Sequence, residues 1–269
     1  MGSQKGSALI TGASVGIGAT YADRLARRGY DLILVARDAK KLEALAAKLH
    51  AESGVKAEAL PADLTKKADL ARVEARFAND PSISLFLNNA GMGGPNKLLG
   101  ADLDALETVV QLNITAATRL AAAAANAFAA RNNGTIINLA SVVALAPEYF
   151  GSAYGASKAY VLHLSQSMQV ELAGTNVKVQ AVLPGATRTE IWERAGIPIE
   201  HLDPNILMEV DEMVDASLAG LDQGEAITIP SLPNPADWDA LNAARGNLGP
   251  NLSRNHAAAR YNVKASHAA

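Results

Sequence analysis

The chain has 269 residues, of which 49% are hydrophobic, and its formal net charge at pH 7 is −3. This length and composition suit one large α/β domain with a sizeable core. Because basic residues are not in excess, we expect neither a nucleic acid nor an anionic membrane surface as a partner. The sequence has no cysteine, which excludes disulfides, cysteine-ligated metals and thiol nucleophiles. Its five histidines are scattered without metal-ligand spacing and predict no metal site.

The N-terminal segment and the most apolar tract both argue against export or membrane insertion. Residues 1–14 contain one lysine and a brief apolar run before a glycine-rich turn, unlike a signal peptide. Residues 120–130 are apolar, but this tract is too short and too rich in alanine to span a bilayer. We therefore expect a soluble, cytoplasmic protein.

Short β-branched runs alternate with longer, amphipathic, alanine-rich segments. Such alternation predicts βα units, a parallel sheet and helices on both of its faces. The predicted fold is therefore α/β and Rossmann-like, a doubly wound sheet of seven parallel strands in three layers. The strand candidates are residues 7–11, 30–36, 55–63, 83–91, 134–141, 177–185 and 226–230.

Composition changes near residue 230. We predict a single domain over residues 1–230, because no internal repeat or linker interrupts it. Residues 231–269 are rich in Pro, Asn, Gly and Ala. This composition favours an extension packed on the domain, or a partly ordered tail, over a second domain.

A glycine-rich turn follows the first strand candidate. Gly12, Gly16 and Gly18 lie between that strand and a helical pattern. Glycines there permit a tight turn and let backbone N–H groups approach a pyrophosphate at the helix N-terminus. The alternative is an ordinary loop, but the flanking strand and helix favour dinucleotide binding.

The glycine spacing resembles the T-G-x-x-x-G-x-G signature of the short-chain dehydrogenase/reductase family. Further motifs of that family follow in its order over about residues 5–230. They are NNAG (88–91), LNI (112–114), NLAS (138–141), YGASK (154–158) and PGATRT (184–189). The resemblance implies a catalytic domain with a substrate lid at about 190–215.

Tyr154 and Lys158 are four residues apart, so their side chains would leave the same face of a helix. A phenol with a pKa near 10 is a poor acid at neutral pH. An ammonium about 4 Å away contributes roughly 4 kcal/mol at an effective dielectric constant near 20. We expect this attraction, together with the positive ring of the oxidised cofactor, to outweigh burial and to let Tyr154 act as general acid or base. Ser141, at the end of a strand candidate, could donate a hydrogen bond to the substrate oxygen.

The resemblance also implies roles for Lys158 and Asn113. Lys158 would hold the nicotinamide ribose hydroxyls, and Asn113 would support a water-linked proton path through its backbone in a slightly distorted helix. Taken singly, each of the four catalytic candidates could be an ordinary surface or turn residue. The full set of predicted cofactor-binding residues is Gly12, Ser14, Gly16, Ile17, Gly18, Arg37, Asp63, Leu64, Asn89, Ala90, Gly91, Tyr154, Lys158, Pro184, Gly185, Thr187 and Thr189.

The end of the second strand candidate predicts which cofactor is used. Rossmann proteins that prefer NAD place an acid about twenty residues beyond the glycines, and Asp38 lies near that position. In the family that the sequence resembles, however, this acid ends the second strand, where this sequence has Ala36 followed by Arg37. A guanidinium can bind a 2′-phosphate in bidentate fashion, which favours NADP(H) over NAD(H). Alternatively, Arg37 is solvated and pairs with Asp38. Asp63 matches the family's adenine-contacting residue, or it caps a turn or helix.

The sequence signals for the substrate pocket are less specific than those for the cofactor. Met92, Gly93, Ala144 and Leu145 are expected to border the pocket. Apolar lid residues could cover a rather apolar carbonyl compound, or form the core of two short helices. These lid residues are Ile191, Trp192, Ile197, Leu202, Ile206, Leu207 and Met208.

The resemblance implies that segments 101–131 and 154–173 pair subunits into a homodimer or homotetramer; burial within one monomer is the alternative.

We predict an NADP(H)-dependent oxidoreductase, such as a carbonyl reductase, that interconverts a ketone or aldehyde and an alcohol. A catalytically silent dinucleotide-binding sensor or scaffold is the rival hypothesis. A sugar-nucleotide epimerase also uses the Tyr–Lys pair, but the glycine spacing and the lack of a larger C-terminal domain disfavour it.

Overall fold

A computed structural model describes residues 5–95, 97–148, 152–190, 192 and 198–263. Its centre is a sheet of seven strands in the order β3-β2-β1-β4-β5-β6-β7, and every pairing is parallel. The direction of strand order reverses between β1 and β4, which is where doubly wound sheets bind their ligands. The predicted fold class is confirmed.

The first strand has the predicted bounds, and the other six strands are shorter than the sequence patterns predicted. Their bounds are β1 Ser7–Thr11, β2 Asp31–Ala36, β3 Ala57–Pro61, β4 Ile83–Asn88, β5 Gly134–Leu139, β6 Val177–Val182 and β7 Ile227–Thr228. The predicted residues that follow β4, β5 and β6, namely 89–91, 140–141 and 183–185, lie beyond the strands at the carboxyl edge. Pro61 ends the edge strand β3, a position where its missing N–H is tolerated.

Helices cover both faces of the sheet. They are α1 Gly16–Arg27, α2 Ala39–Ser53, α3 Lys67–Asn79, α4 Leu103–Val110, α5 Ala117–Arg131, α6 Ser152–Glu171 and α7 Val210–Gln223. One apolar core joins the sheet to α1, α2 and α7, and includes the fully buried Tyr21 and Leu42. The other joins it to α3, α5 and α6, and includes Phe77, Phe128 and Met168. The three predicted layers are therefore present.

A π-helical segment, Gln111–Ala116, joins α4 to α5. It is the local distortion that the family resemblance implied around Asn113. A π turn inserts an extra residue into the helix and changes which backbone groups find partners, and such turns are frequent at functional sites.

The chain divides into two compact units, residues 1–230 and 231–269. The second unit contains α8, Pro235–Gly246, whose first turn is capped by the Asn234 side chain accepting from the Ala236 N–H. That the extension packs on the domain, or is partly ordered, stays a prediction. Within the described part of the chain, no helix combines the length and the apolar character that crossing a bilayer requires.

Candidate active site

Two turns meet at the carboxyl edge of the sheet where the strand order reverses. The glycine turn follows β1 and the NNAG turn follows the neighbouring β4. The Asn89 carboxamide donates to the carbonyl oxygens of Thr11 and Gly12, at 2.8 and 3.2 Å. These bonds fix one turn on the other. Asn89 and Ala90, both predicted to bind the cofactor, thus lie beside the glycine turn.

The glycine turn needs its glycines for two different reasons. Gly12 and Gly16 have φ angles of +66° and +54°, a backbone region that residues other than glycine rarely adopt. At Gly18 an added Cβ would overlap the Gly12 carbonyl oxygen and approach the Asn89 side chain at 2.7 Å. The glycines thus let the turn pack closely on its neighbours just before the N-terminus of α1, where backbone N–H groups suit the pyrophosphate of a dinucleotide; we call this turn the glycine cradle. Ser14 and Ile17 are half-buried in the same turn.

Thr11 is a supporting residue that the sequence reasoning missed. Its fully buried hydroxyl donates to the Leu87 carbonyl at 3.2 Å and accepts from the N–H groups of Asn89 and Ala90, both at 3.0 Å. One side chain therefore joins the ends of β1 and β4. The Thr of the T-G-x-x-x-G-x-G signature was the available signal.

The Pro-Gly segment closes the site from the side of β6. The Pro184 carbonyl accepts from the Val142 N–H at 3.0 Å and from the Ser141 hydroxyl at 3.3 Å. Thr189 lies against the glycine turn, since a Cβ on Gly16 would be 3.5 Å from its methyl group. The structure thus brings Ser141, the Pro-Gly segment and the glycine turn together.

Ser141, Tyr154 and Lys158 converge between the end of β5 and the first turns of α6. The Lys158 Nζ atom lies 5.7 Å from the centroid of the Tyr154 ring and donates to the Leu139 carbonyl at 2.8 Å. Lys158 is 6% exposed, and its desolvation lowers its pKa to about 8. An ammonium buried to this extent loses its proton near pH 8.

Burial decides the acidity of Tyr154. Desolvation of the phenol raises the pKa of Tyr154 to about 12, and a hydrogen bond with Ser141 offsets only part of that effect. In the chain alone, burial therefore outweighs the groups that favour the phenolate. The physical reason is that the phenol and the Lys158 ammonium are both withdrawn from water, and Lys158 points its charge at the Leu139 carbonyl. That the Lys158 ammonium and the positive ring of an oxidised cofactor together outweigh this burial stays a prediction.

Asn113 lies in the π-helical segment, and its side chain is 2% exposed. Its carboxamide donates to the Met92 carbonyl at 2.9 Å and to the Ser157 hydroxyl at 3.0 Å, and accepts from the Met92 N–H at 2.9 Å. Gly91 is adjacent, because a Cβ there would be 3.3 Å from the Asn113 Oδ1 and 3.6 Å from the Lys158 Nζ. Asn113 and Lys158 are therefore neighbours.

Arg37 is exposed just beyond β2 and does not pair with Asp38. Asp38 caps α2 by accepting from the Lys41 N–H at 3.0 Å, and the described residues place no carboxylate within 4.0 Å of the Arg37 guanidinium. Burial acts to raise the pKa of Asp63, but hydrogen bonds from Thr65 and the charge of Arg37 hold it below its usual value. Arg37 and Asp63 are thus close enough for the charge of one to act on the other.

Several other residues predicted to bind the cofactor make contacts that stabilise the protein itself. The Leu64 side chain belongs to the core, and so only its backbone can face a ligand. The Thr187 hydroxyl donates to the Gly185 carbonyl at 3.1 Å, and the Thr187 carbonyl accepts from the Trp192 indole at 2.7 Å.

The described part of the lid region contains two 3₁₀ turns, Ile199–His201 and Pro204–Ile206. Met208 pairs with Thr187 and packs against the core. Ile206 is 60% exposed. Leu202 and Leu207 are half-buried. Ile191 and Ile197 lie outside the described residues.

A parallel sheet with a glycine-lined cradle at the reversal of its strand order defines a dinucleotide-binding α/β protein. A family model described as short chain dehydrogenase matches residues 7–197. The chain belongs to this family, whose members carry out oxidoreduction of hydroxyl and carbonyl groups with a nicotinamide dinucleotide.

Solved structures include similar proteins. A short-chain dehydrogenase from Sphingobium yanoikuyae in complex with NADPH is 53% identical, with a TM-score of 0.92, over 95% of this chain and 100% of that one. A bulky-bulky ketone specific alcohol dehydrogenase from Comamonas testosteroni is 46% identical, with a TM-score of 0.88, over 95% and 98% of the two chains.

A curated relative is more distant. Human 17-beta-hydroxysteroid dehydrogenase type 3 is 32% identical over 215 residues, which are 78% of this chain and 66% of the human protein.

Proposed function

We propose that the protein is an NADP(H)-dependent oxidoreductase that interconverts a ketone or aldehyde and the corresponding alcohol. The observation that carries the proposal is the convergence of Ser141, Tyr154 and Lys158 beside the glycine cradle. A phenol hydrogen-bonded to a serine hydroxyl, with a buried ammonium 5.7 Å from its ring, is a group suited to proton transfer to an oxygen atom.

Each residue of the chain then has a task in carbonyl reduction. NADPH, when bound, supplies the hydride that the carbonyl carbon accepts. Tyr154 would give its proton to the carbonyl oxygen, which completes the alcohol and leaves a Tyr154 phenolate that regains a proton from solvent. Ser141 donates to the same oxygen and stabilises the charge that develops there. Lys158 holds the ribose and supports the proton transfer, and in oxidation Tyr154 accepts the proton instead.

The silent-sensor hypothesis explains these residues less well. A binding module needs the glycine cradle and the ribose contacts, but it does not need Ser141 hydrogen-bonded to Tyr154 at the far side of the site. It also does not need Asn113 held by three hydrogen bonds in a π-helical segment.

For the substrate, we propose a rather apolar ketone with sizeable groups on both sides of the carbonyl. Support comes from the similarity to a dehydrogenase described as specific for bulky-bulky ketones and to a hydroxysteroid dehydrogenase. Residues expected to border the pocket include the small Gly93 and Ala144. Small side chains leave room for such groups.

The direct test is NADPH consumption with a panel of diaryl and aryl-alkyl ketones, ketosteroids, small aliphatic ketones and aldehydes. We expect turnover with bulky ketones that exceeds turnover with acetone-sized ones. Lack of NADPH oxidation with every member of the panel, by a folded protein that binds NADPH, would favour the sensor hypothesis.

Replacing Arg37 by Ala tests the cofactor assignment. We expect the wild type to prefer NADPH, and the variant to lose about 10-fold to 100-fold in kcat/KM for NADPH, because a charge-assisted bond to the 2′-phosphate is removed. kcat/KM for NADH should change little. The control is Lys40→Ala, an exposed cation three residues along the chain. A wild-type preference for NADH would show the assignment to be wrong.

We also propose that the protein assembles through α4, α5 and α6 into a homodimer or homotetramer in the cytoplasm. The described parts of these helices expose Val110 (43%), Tyr160 (38%) and Val170 (77%), which are apolar surfaces that a subunit interface would cover. Light scattering of the purified protein measures its mass directly, and a monomer would overturn this proposal.

A further inference from the structure

Two serines of α6 share one bonding pattern. Ser157 and Ser165 are both 0% exposed. The hydroxyl of Ser157 donates to the Tyr154 carbonyl at 2.7 Å and accepts from the Asn113 carboxamide at 3.0 Å. The hydroxyl of Ser165 donates to the Val161 carbonyl at 2.7 Å and accepts from the Asn138 carboxamide at 3.0 Å. We name these two arrangements the serine clasps.

The serine clasps differ in what they hold. At Ser165 the partner Asn138 lies inside β5 and accepts from Asn88, so this clasp fixes α6 to the sheet. At Ser157 both partners, Tyr154 and Asn113, belong to the proposed catalytic group. A single buried hydroxyl therefore connects the residue proposed to transfer the proton with the residue in the π-helical segment.

From this geometry we infer that Ser157 is a positioning residue, which sets the orientation of Asn113 relative to Tyr154 through its hydroxyl. This inference rests on the proposed function. The Asn113 carboxamide has two N–H donors, and Ser157 takes one while the Met92 carbonyl takes the other. Its oxygen accepts from the Met92 N–H. Ser157 thus completes the set that allows one orientation of the carboxamide.

Loss of the Ser157 hydroxyl would leave a buried donor without a partner. Such a group is unfavourable, and it is relieved when the side chain rotates or water enters. Rotation of the Asn113 carboxamide would break its bonds to the Met92 backbone, beside Gly91 and Lys158. The Tyr154 carbonyl, one turn earlier in the same helix, would also lose the hydrogen bond from the Ser157 hydroxyl. Small displacements of reacting groups can reduce catalysis by about 100-fold.

The test compares Ser157→Ala with the matched control Ser165→Ala. Each removes a fully buried hydroxyl with the same two kinds of bond, so we expect similar decreases in Tm. Only Ser157→Ala should lower kcat, by about 10-fold to 100-fold, with the Kd for NADPH within about twofold of the wild type. Ser157→Thr keeps the hydroxyl and should restore kcat to within a few-fold.

A second readout does not depend on turnover. Amide hydrogen exchange at Met92 reports on its bond to Asn113, and we expect it to be faster in Ser157→Ala and unchanged in Ser165→Ala and Ser157→Thr. Equal kcat and Met92 exchange in the two Ala variants would overturn the inference, as would a Thr variant impaired as much as Ser157→Ala. An inactive wild type would instead contradict the proposed function, and the exchange measurement would still decide the role of Ser157.

Discussion

Tyr154→Phe should abolish turnover while NADPH still binds. The substitution removes only the phenolic oxygen, so the ring and α6 keep their places. It deletes the proton that the carbonyl oxygen must receive, and general acid catalysis of this kind contributes about 10²-fold to 10⁴-fold. We expect kcat to fall by at least about 10³-fold, as measured by NADPH absorbance, and the Kd for NADPH, measured by fluorescence, to change by less than about threefold.

Tyr160→Phe is the matched control for that experiment. Tyr160 lies on the same helix, is 38% exposed and hydrogen-bonds the Thr118 hydroxyl at 2.9 Å. Its loss should leave kcat nearly unchanged. Undiminished turnover by Tyr154→Phe would remove Tyr154 from the proposed mechanism, and loss of NADPH binding would point to a role in holding the cofactor.

Lys158→Met should abolish turnover and change how stability depends on pH. Burial lowers the pKa of Lys158 from 10.5 to about 8. Between pH 8 and 10.5 the unfolded chain therefore binds more protons than the folded chain, so stability rises with pH across that window. Below pH 8 both states are protonated, and the unfavourable burial of the charge is fully present.

The expected result is a gain in wild-type stability relative to Lys158→Met as the pH rises. From pH 7 to pH 10 the difference in unfolding free energy should move by roughly 2–3 kcal/mol in favour of the wild type. Urea titrations of the cofactor-free proteins at several pH values measure it. Lys48→Met, at a side chain that is 62% exposed, is the control for replacing a lysine by methionine. A constant difference between wild type and Lys158→Met would mean that Lys158 has an ordinary pKa when folded.

Much of the fold could be predicted because it follows from short-range patterns. Short apolar runs such as 32–36 and 85–87, which alternate with helical patterns, favour strands of a covered parallel sheet. The ends of β4, β5 and β6 were predicted too far along the chain, because the turn residues that follow continue each run in sequence but lie beyond the ladder.

In the candidate site too, the local features could be predicted from the sequence and the long-range contacts could not. The glycine spacing and the Tyr154–Lys158 spacing are local, and they place Gly12, Gly18 and the α6 pair where backbone geometry requires. In the sequence, Ser157 stands out only as one letter of the YGASK motif. Its partner Asn113 is 44 residues away, and only the packing of α6 against the π-helical segment makes its hydroxyl part of the site.

The sequence by itself determined the class of fold, the cradle and the identities of the groups proposed to react, because these depend on residue type and on spacing within one turn or strand. The tertiary structure decided which groups lose water and which hydrogen bonds remain. The pKa of Tyr154 is raised and that of Lys158 is lowered because distant elements enclose both side chains. Desolvation is a property of the packed surroundings and cannot be obtained from spacing along the chain.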